Sequence, residues 1–308
     1  MTDTRAIERA SALIAAGHLV AFPTETVYGL GADARNEDAI RAVFRAKGRP
    51  ADNPLIVHGA DVPALQAFAV FDERALAVAA RYWPGPLTLV LPVREGVSPL
   101  ITAGLSTVAV RVPDHPQALS LLRVAGPLVA PSANRSGRPS PTTAQHVRDD
   151  LGAEVALVLD GGACRVGIES TVLDLSAATP TVLRPGIIGA AELGTVLGSA
   201  LGAVDTSGQA PRAPGMKYRH YAPTIPVELV LADTPPLVEP TTFVLTPQAE
   251  QAAFAGPSAV LSEATLYDEL RRAELSGASA ILIYARPDTL GEGMLDRIRK
   301  AAAPVGSD

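Results

Sequence analysis

Cysteine and lysine are both scarce in this 308-residue chain. A single cysteine, Cys164, excludes an internal disulfide and any multi-cysteine zinc site, and it fits a reducing compartment. No run approaches the ~18–20 uncharged apolar residues that a membrane span needs. At the N-terminus Asp3 and Glu8 offset Arg5 and Arg9, and Gly17-His18 breaks the apolar stretch Ala10–Phe22, against the pattern of an export signal. A cytoplasmic protein with no membrane association is expected. Familiar site motifs are missing as well. Gly162–Gly167 has the glycine spacing of a phosphate loop, but Ile168 stands where lysine is required. No G-x-G-x-x-G occurs, and the five histidines are scattered without an H-E-x-x-H pair. No nucleophilic triad can be assembled, and metal ligands stay unassigned.

What is present is apolar. Hydrophobic residues make up 47% of the chain and charged ones 19%, which excludes a disordered chain, and the length fits two domains. The net charge of −6 leaves no whole-chain footprint for nucleic acid, although a local cationic patch stays open. Up to residue 201, short apolar strands mix with amphipathic helices such as Glu37–Lys47 and Glu73–Tyr82 without a strict βαβ rhythm. That predicts an α/β domain over 1–201 with a sheet of mixed direction. Residues 202–224 lose periodicity and are rich in Pro, Gly and Ser, as in a linker. From 225 to 308 strands and helices alternate, which predicts a small, mostly parallel, Rossmann-like α/β domain.

Polar and glycine-rich stretches occupy places where a bland domain would be apolar. They are Phe22–Gly31 (FPTETVYGLG), Lys47–His58 (KGRPADNPLIVH), Ala130–Thr142 (APSANRSGRPSPT), Gly167–Leu175 (GIESTVLDL) and Leu183–Gly186 (LRPG). The third follows a short strand, the place where α/β proteins carry ligand loops. It also reads as an ordinary surface turn, since Ser, Asn, Gly and Pro are turn residues. Only three cations are lysine: Lys47, Lys217 and Lys300. Lysine is a compact point charge suited to phosphate, whereas arginine is a planar fork. Lys47 also reads as a helix-end charge with Gly48 closing the helix. Lys300 falls among Arg297 and Arg299 in the last helix, where a solvated face is expected. Arg111 and Arg184, each at the end of an apolar strand, read equally as ion-pairing residues.

Together with APGMKYRHYAP in the linker and GEGMLDRIRKAA near the C-terminus, these blocks resemble the threonylcarbamoyl-AMP synthase family in its two-domain form. The resemblance implies a YrdC-like first domain, a twisted mixed sheet with a concave basic cavity. It implies a reaction of ATP, L-threonine and bicarbonate, with Mg²⁺ expected alongside ATP, giving threonylcarbamoyl-AMP and pyrophosphate. A separate transferase would consume that product in tRNA modification, so tRNA would be met only indirectly or weakly. It puts Lys47, Arg49, Asn53, Thr107, Ser132, Ser140, Arg184 and Tyr221 around ATP, with Lys47 and Arg49 in the catalytic role. It puts Thr26, His58, Arg111, Ala130 and Ser170 around threonine. In the linker, Gly215, Lys217, Tyr218 and Arg219 would belong to a closing lid. Two other readings stay open: a double-stranded RNA-binding module without catalysis, and a carbamoyl transferase of related fold. The latter would be expected to carry zinc-finger segments, which one cysteine cannot supply.

Overall fold

The computed structural model describes residues 3–202 and 220–303. The lid residues Gly215, Lys217, Tyr218 and Arg219 lie outside them. Among the described residues no helix is long and apolar enough to cross a membrane.

The first nine strands are β1 (Val20–Phe22), β2 (Gly29–Asp33), β3 (Ile56–His58), β4 (Leu87–Pro92), β5 (Thr107–Arg111), β6 (Leu128–Val129), β7 (Leu157–Val158), β8 (Thr171–Asp174) and β9 (Thr181–Arg184). They form one sheet in the order β7-β1-β2-β6-β3-β5-β4-β8-β9, with parallel and antiparallel pairs, so the expected mixed direction holds. Strand β2 lies where the sequence reads as a glycine-rich polar stretch. Its glycines are steric: a β-carbon on Gly31 would lie 2.9 Å from the Phe22 ring and 3.1 Å from the Val20 carbonyl oxygen.

Side chains alternate across this sheet, and the alternation sorts the sequence into two faces. Ala21, Leu30, Val57, Leu89 and Val110 point to one side, where helices Glu37–Lys47 and Glu73–Tyr82 complete the main core. Val20, Phe22 and Leu128 point to the other side and meet helices Thr4–Ala15 and Pro116–Ala125. On that same side Ile56, Val90, Ala109 and Val172 form a small apolar floor. Helix ends follow local chemistry. Asn36 accepts the Ala39 N–H at 3.1 Å, and Gly48 closes helix Glu37–Lys47 at φ +61°, as its position in the sequence predicts.

The remaining strands, β10 (Val227–Leu231), β11 (Thr242–Thr246), β12 (Ser258–Val260) and β13 (Ala280–Ala285), form a second sheet in the order β10-β13-β11-β12. Every pair in it is parallel. Its main helices are Leu266–Leu275 and Glu292–Ala302, while Gln248–Ala253 is a 3₁₀ helix. The apolar cluster on this sheet also takes in Val27 and Ile168 from the first part of the chain, so the two sheets share buried surface.

Candidate active site

Strand alternation places the functional face. On parallel strands β3 and β5, His58 pairs in register with Arg111, two residues on from the Ile56–Ala109 pair that belongs to the apolar floor. Ser170 immediately precedes β8 and shares a 2.8 Å hydroxyl–hydroxyl hydrogen bond with Thr88 of β4. Above this floor opens a cavity of about 650 Å³, counting its open mouth. Lys47, Arg49, Arg111, Arg138 and Arg184 line it, and Glu169 is the one carboxylate among its lining residues. A chain of net charge −6 has therefore gathered cations at one concave place.

Lys47, Arg49 and Arg184 are held by main-chain carbonyls, while Arg138 pairs with the Glu274 carboxylate and Arg111 with that of Glu25. Lys47 ends its helix with Nζ donating to the carbonyl oxygens of Ser132 and Asn134, both at 2.6 Å. Burial and the nearby Arg49 push its pKa well below the ordinary lysine value. Arg49 donates to the carbonyls of Asn53 at 3.2 Å and Pro54 at 2.8 Å, and burial lowers its pKa to about 10, so it stays charged at neutral pH. Arg184 donates through Nε and Nη2 to the Ser170 carbonyl at 3.2 and 3.0 Å. Arg111 donates from Nη2 to Glu25 at 2.8 Å and to the Thr26 hydroxyl at 2.9 Å, and from Nε to the Gly85 carbonyl at 3.2 Å. Burial, then the charge of Arg111, lower the His58 pKa to about 3, so its imidazole is neutral.

Of the residues the sequence put forward, Lys47, Arg49, His58, Arg111, Ala130, Ser132, Ser140, Ser170, Arg184 and Tyr221 all line this one cavity. Thr26 does not line it but holds Arg111 and bonds the Thr24 hydroxyl at 2.9 Å. Asn53 is buried beside Arg49, its carbonyl taken by that residue. Thr107 lies at the other end of β5 from Arg111, ~13 Å along the strand, and does not line the cavity. Lys300 corrects the expected solvated face. It is part-buried in a 2.8 Å ion pair with Asp296, and neighbouring Arg297 is fully buried. Arg297 is turned from that helix to the first sheet's loops, donating to Glu169 and to the Pro185 carbonyl, while Arg299 stays exposed.

Several participants escape single-residue reading. Glu25 and Glu169 sit inside quoted motifs yet pass as loop acids. Glu169 accepts from Ser140 Oγ at 2.5 Å, Tyr267 OH at 2.9 Å and Arg297 Nε at 2.7 Å. Burial alone would raise its pKa, but Arg297 and Arg184 outweigh it and hold the carboxyl at about 2. His220, next to Tyr221 in the linker motif, lines the cavity with Nε2 buried and unpartnered among the described residues. Tyr221 itself adopts a left-handed φ of +66° and stacks on Tyr267 with ring centroids 5.4 Å apart. Cys164 is buried and its thiol pKa rises to about 12, so it offers no ready nucleophile. Among the described residues no group of three or more His, Cys, Asp or Glu converges as a metal cage.

The geometry suits a small polyanion with a second small anion beside it. The Sua5, YciO and YrdC family model, described as telomere recombination, matches residues 12–186. A second, described as threonylcarbamoyl-AMP synthase, C-terminal domain, matches residues 188–303. The threonylcarbamoyl-AMP synthase of Bacillus subtilis is 42% identical over 98% of this chain and 94% of its own length. That of Pyrococcus abyssi is 41% identical over 96% and 94%. The crystal structure of P. abyssi Sua5 complexed with L-threonine superposes with a TM-score of 0.84 at 38% identity, covering 96% of this chain and 94% of that one.

Proposed function

Because this chain belongs to the threonylcarbamoyl-AMP synthase family, we propose that its cationic cavity makes threonylcarbamoyl-AMP and pyrophosphate from L-threonine, bicarbonate and ATP. The product serves threonylcarbamoyladenosine modification of tRNA. The observation that carries this reading is the convergence of Lys47, Arg49, Arg111 and Arg184 on one concave cavity. The cations lie inside the cavity, not along a surface track, so duplex RNA is a poor fit.

The finer reading is a nucleotidyl transfer. Bicarbonate splits into carbon dioxide and hydroxide. The threonine amine attacks the carbon dioxide carbon, a C–N bond forms as one C=O π bond breaks, and the amine proton passes to the hydroxide, giving a carbamate and water. A carbamate oxygen then attacks the α-phosphorus, and the bond to the bridging oxygen of pyrophosphate breaks. Lys47, Arg49 and Arg184 offset the charge that grows on the leaving group, and Ser132 and Ser140 orient it. Arg111 meets the threonine carboxylate. Its Nε and Nη2 already serve Gly85, Glu25 and Thr26, so Nη1 is the edge offered to the ligand. Ser170 and neutral His58 flank the amino acid. Tyr221 closes over the nucleotide. Asn53 supports Arg49 through its carbonyl, and Thr107, which does not line the cavity, takes no part in this scheme. Mg²⁺ would accompany ATP as part of that substrate and would offset its phosphate charge; the two carboxylates near the site, Glu25 and Glu169, are engaged in ion pairs. No step requires a protein nucleophile, and positioning carries much of the rate.

Pyrophosphate release by the full chain tests the scheme. It should require ATP, threonine and bicarbonate together, with serine a poorer substitute because one methyl contact is worth ~1–3 kcal/mol. Equal release with no amino acid present refutes it.

A further inference from the structure

The second sheet carries no residue among those put forward for ATP or threonine, yet one of its side chains reaches the centre of the site's support. Arg297, from helix Glu292–Ala302, is fully buried. It does not line the cavity. Its Nε donates to Glu169 Oε2 at 2.7 Å, its Nη2 to the Glu169 carbonyl at 3.3 Å, and its Nη1 to the Pro185 carbonyl at 2.9 Å. Glu169 and Pro185 are the chain neighbours of Ser170 and Arg184. One guanidinium thus ties together the two loops that end in those residues.

The network goes further. The second oxygen of Glu169 accepts from Ser140. Tyr267 donates to Glu169 and stacks on Tyr221, and the Arg297 guanidinium lies 5.5 Å from the centroid of that same ring. Backbone approach makes room for these bonds. A β-carbon on Gly293 would lie 2.8 Å from Gly186 main-chain atoms, and one on Gly167 would lie 2.3 Å from the Glu263 carbonyl oxygen. These glycines belong to the LRPG, GIEST and GEGM blocks, so the motifs carry the contact between the two parts of the chain.

We propose that Arg297 is a positioning residue for the nucleotide end of the cavity, acting through Glu169 on Ser140, Arg184 and Tyr221. The main threonine contacts are spared: Arg111 and His58 are held by Glu25, Thr26, Gly85 and Ile56, none of which Arg297 touches. Ser170, whose preceding carbonyl Arg297 does meet, keeps its own hydroxyl bond to Thr88. The second sheet then sets the affinity for ATP from behind the site. This rests on the nucleotide reading given above.

The test uses the full-length protein, steady-state pyrophosphate release and calorimetric titration with ATP and with threonine. Arg297→Met should raise KM for ATP about tenfold or more while KM for threonine stays within about threefold. Arg297→Lys should recover part of the loss, since it keeps the charge but not the three bonds. Asp268→Asn is the control, because it weakens the separate His146–Asp268 contact between the same two parts of the chain, away from Glu169 and the residues assigned to ATP. It should leave KM for ATP near the wild-type value. Unchanged ATP affinity in Arg297→Met, or equal loss for both substrates, overturns the proposal, as does an Asp268→Asn effect of the same size. Should Arg297→Met not fold, Tyr267→Phe removes one donor to Glu169 and keeps the ring. An ATP-selective loss there supports the relay, and none overturns it. If the wild-type chain binds threonine but not ATP, the nucleotide reading itself fails, and the relay with it.

Discussion

Replacing Glu169 by glutamine removes the charge that two buried arginines face, with little change of shape. In the folded protein Arg297 and Arg184 hold this carboxyl at about 2, against an ordinary value of 4.5. A depressed carboxyl contributes stability that is fully present above its unfolded pKa, and that is lost as pH falls through the folded one. The difference amounts to about 3 kcal/mol at ~1.36 kcal/mol per pH unit. That figure is of the order expected when one partner of a buried ion pair is removed, ~3–5 kcal/mol. At pH 7 the Glu169→Gln protein should therefore unfold in urea about 3 kcal/mol more easily than wild type. The gap should close between about pH 4.5 and pH 2, because the wild-type carboxyl then becomes neutral too. Other acids titrate in the same window, but they are shared by both proteins and cancel in the difference. A gap that stays the same from pH 7 to pH 2.5 would show that Glu169 acts through shape alone.

Lys47→Arg should lower turnover by about tenfold or more, since two carbonyls at 2.6 Å suit an ammonium and not a wider planar fork. Lys300→Arg, which keeps the pair with Asp296, should change turnover by less than about twofold; equal effects on pyrophosphate release would mark Lys47 as a helix-end charge. Glu25→Gln should raise KM for threonine several-fold with KM for ATP unmoved, because Arg111 loses the carboxylate that orients it; an ATP-selective effect would be the wrong result. A 1–205 fragment should fold, as circular dichroism would show, yet retain under about a tenth of the pyrophosphate release. It loses the Tyr267 and Arg297 bonds to Glu169 and uncovers Val27 and Ile168. Full activity in that fragment would refute the dependence on the second sheet.

Local signals were the legible ones. Helix Glu37–Lys47 follows from its apolar spacing, its Asn36 cap and Gly48, all within one short window. Strand β2 did not, because Gly29 and Gly31 answer to a packed Phe22 ring rather than to any local preference. In the site, strand-end cations such as Arg111 and Arg184 stand out against apolar neighbours, and the polar loops announce Ser132 and Ser140. Glu169 was quoted within its motif but has no local mark of its role. Its partner Arg297 is 128 residues away, and a helix bearing Asp296, Arg297, Arg299 and Lys300 looks solvated until the opposing surface is known.

That opposing surface also explains why the cations can be buried at all. A guanidinium or ammonium removed from water is costly unless its N–H groups are met. Here the acceptors for Lys47 and Arg49 are main-chain carbonyls of the loops around the cavity, whereas Arg184 meets the Ser170 carbonyl and hydroxyl and also faces the Glu169 carboxylate. Carbonyls satisfy the donors without neutralising the charge, which a carboxylate would do. The result is a rigid cationic cavity whose net charge is left for a ligand to balance. Such loops hold their shape only if something fixes them from outside. Arg271 donates to the Pro139 carbonyl at 2.5 Å, and Arg138 pairs twice with Glu274. Arg297 does the same for the loops around Glu169 and Pro185. Charge complementarity with substrate and attachment of the second sheet are therefore one structural requirement: the loops that leave their cations unneutralised are the loops the second sheet braces.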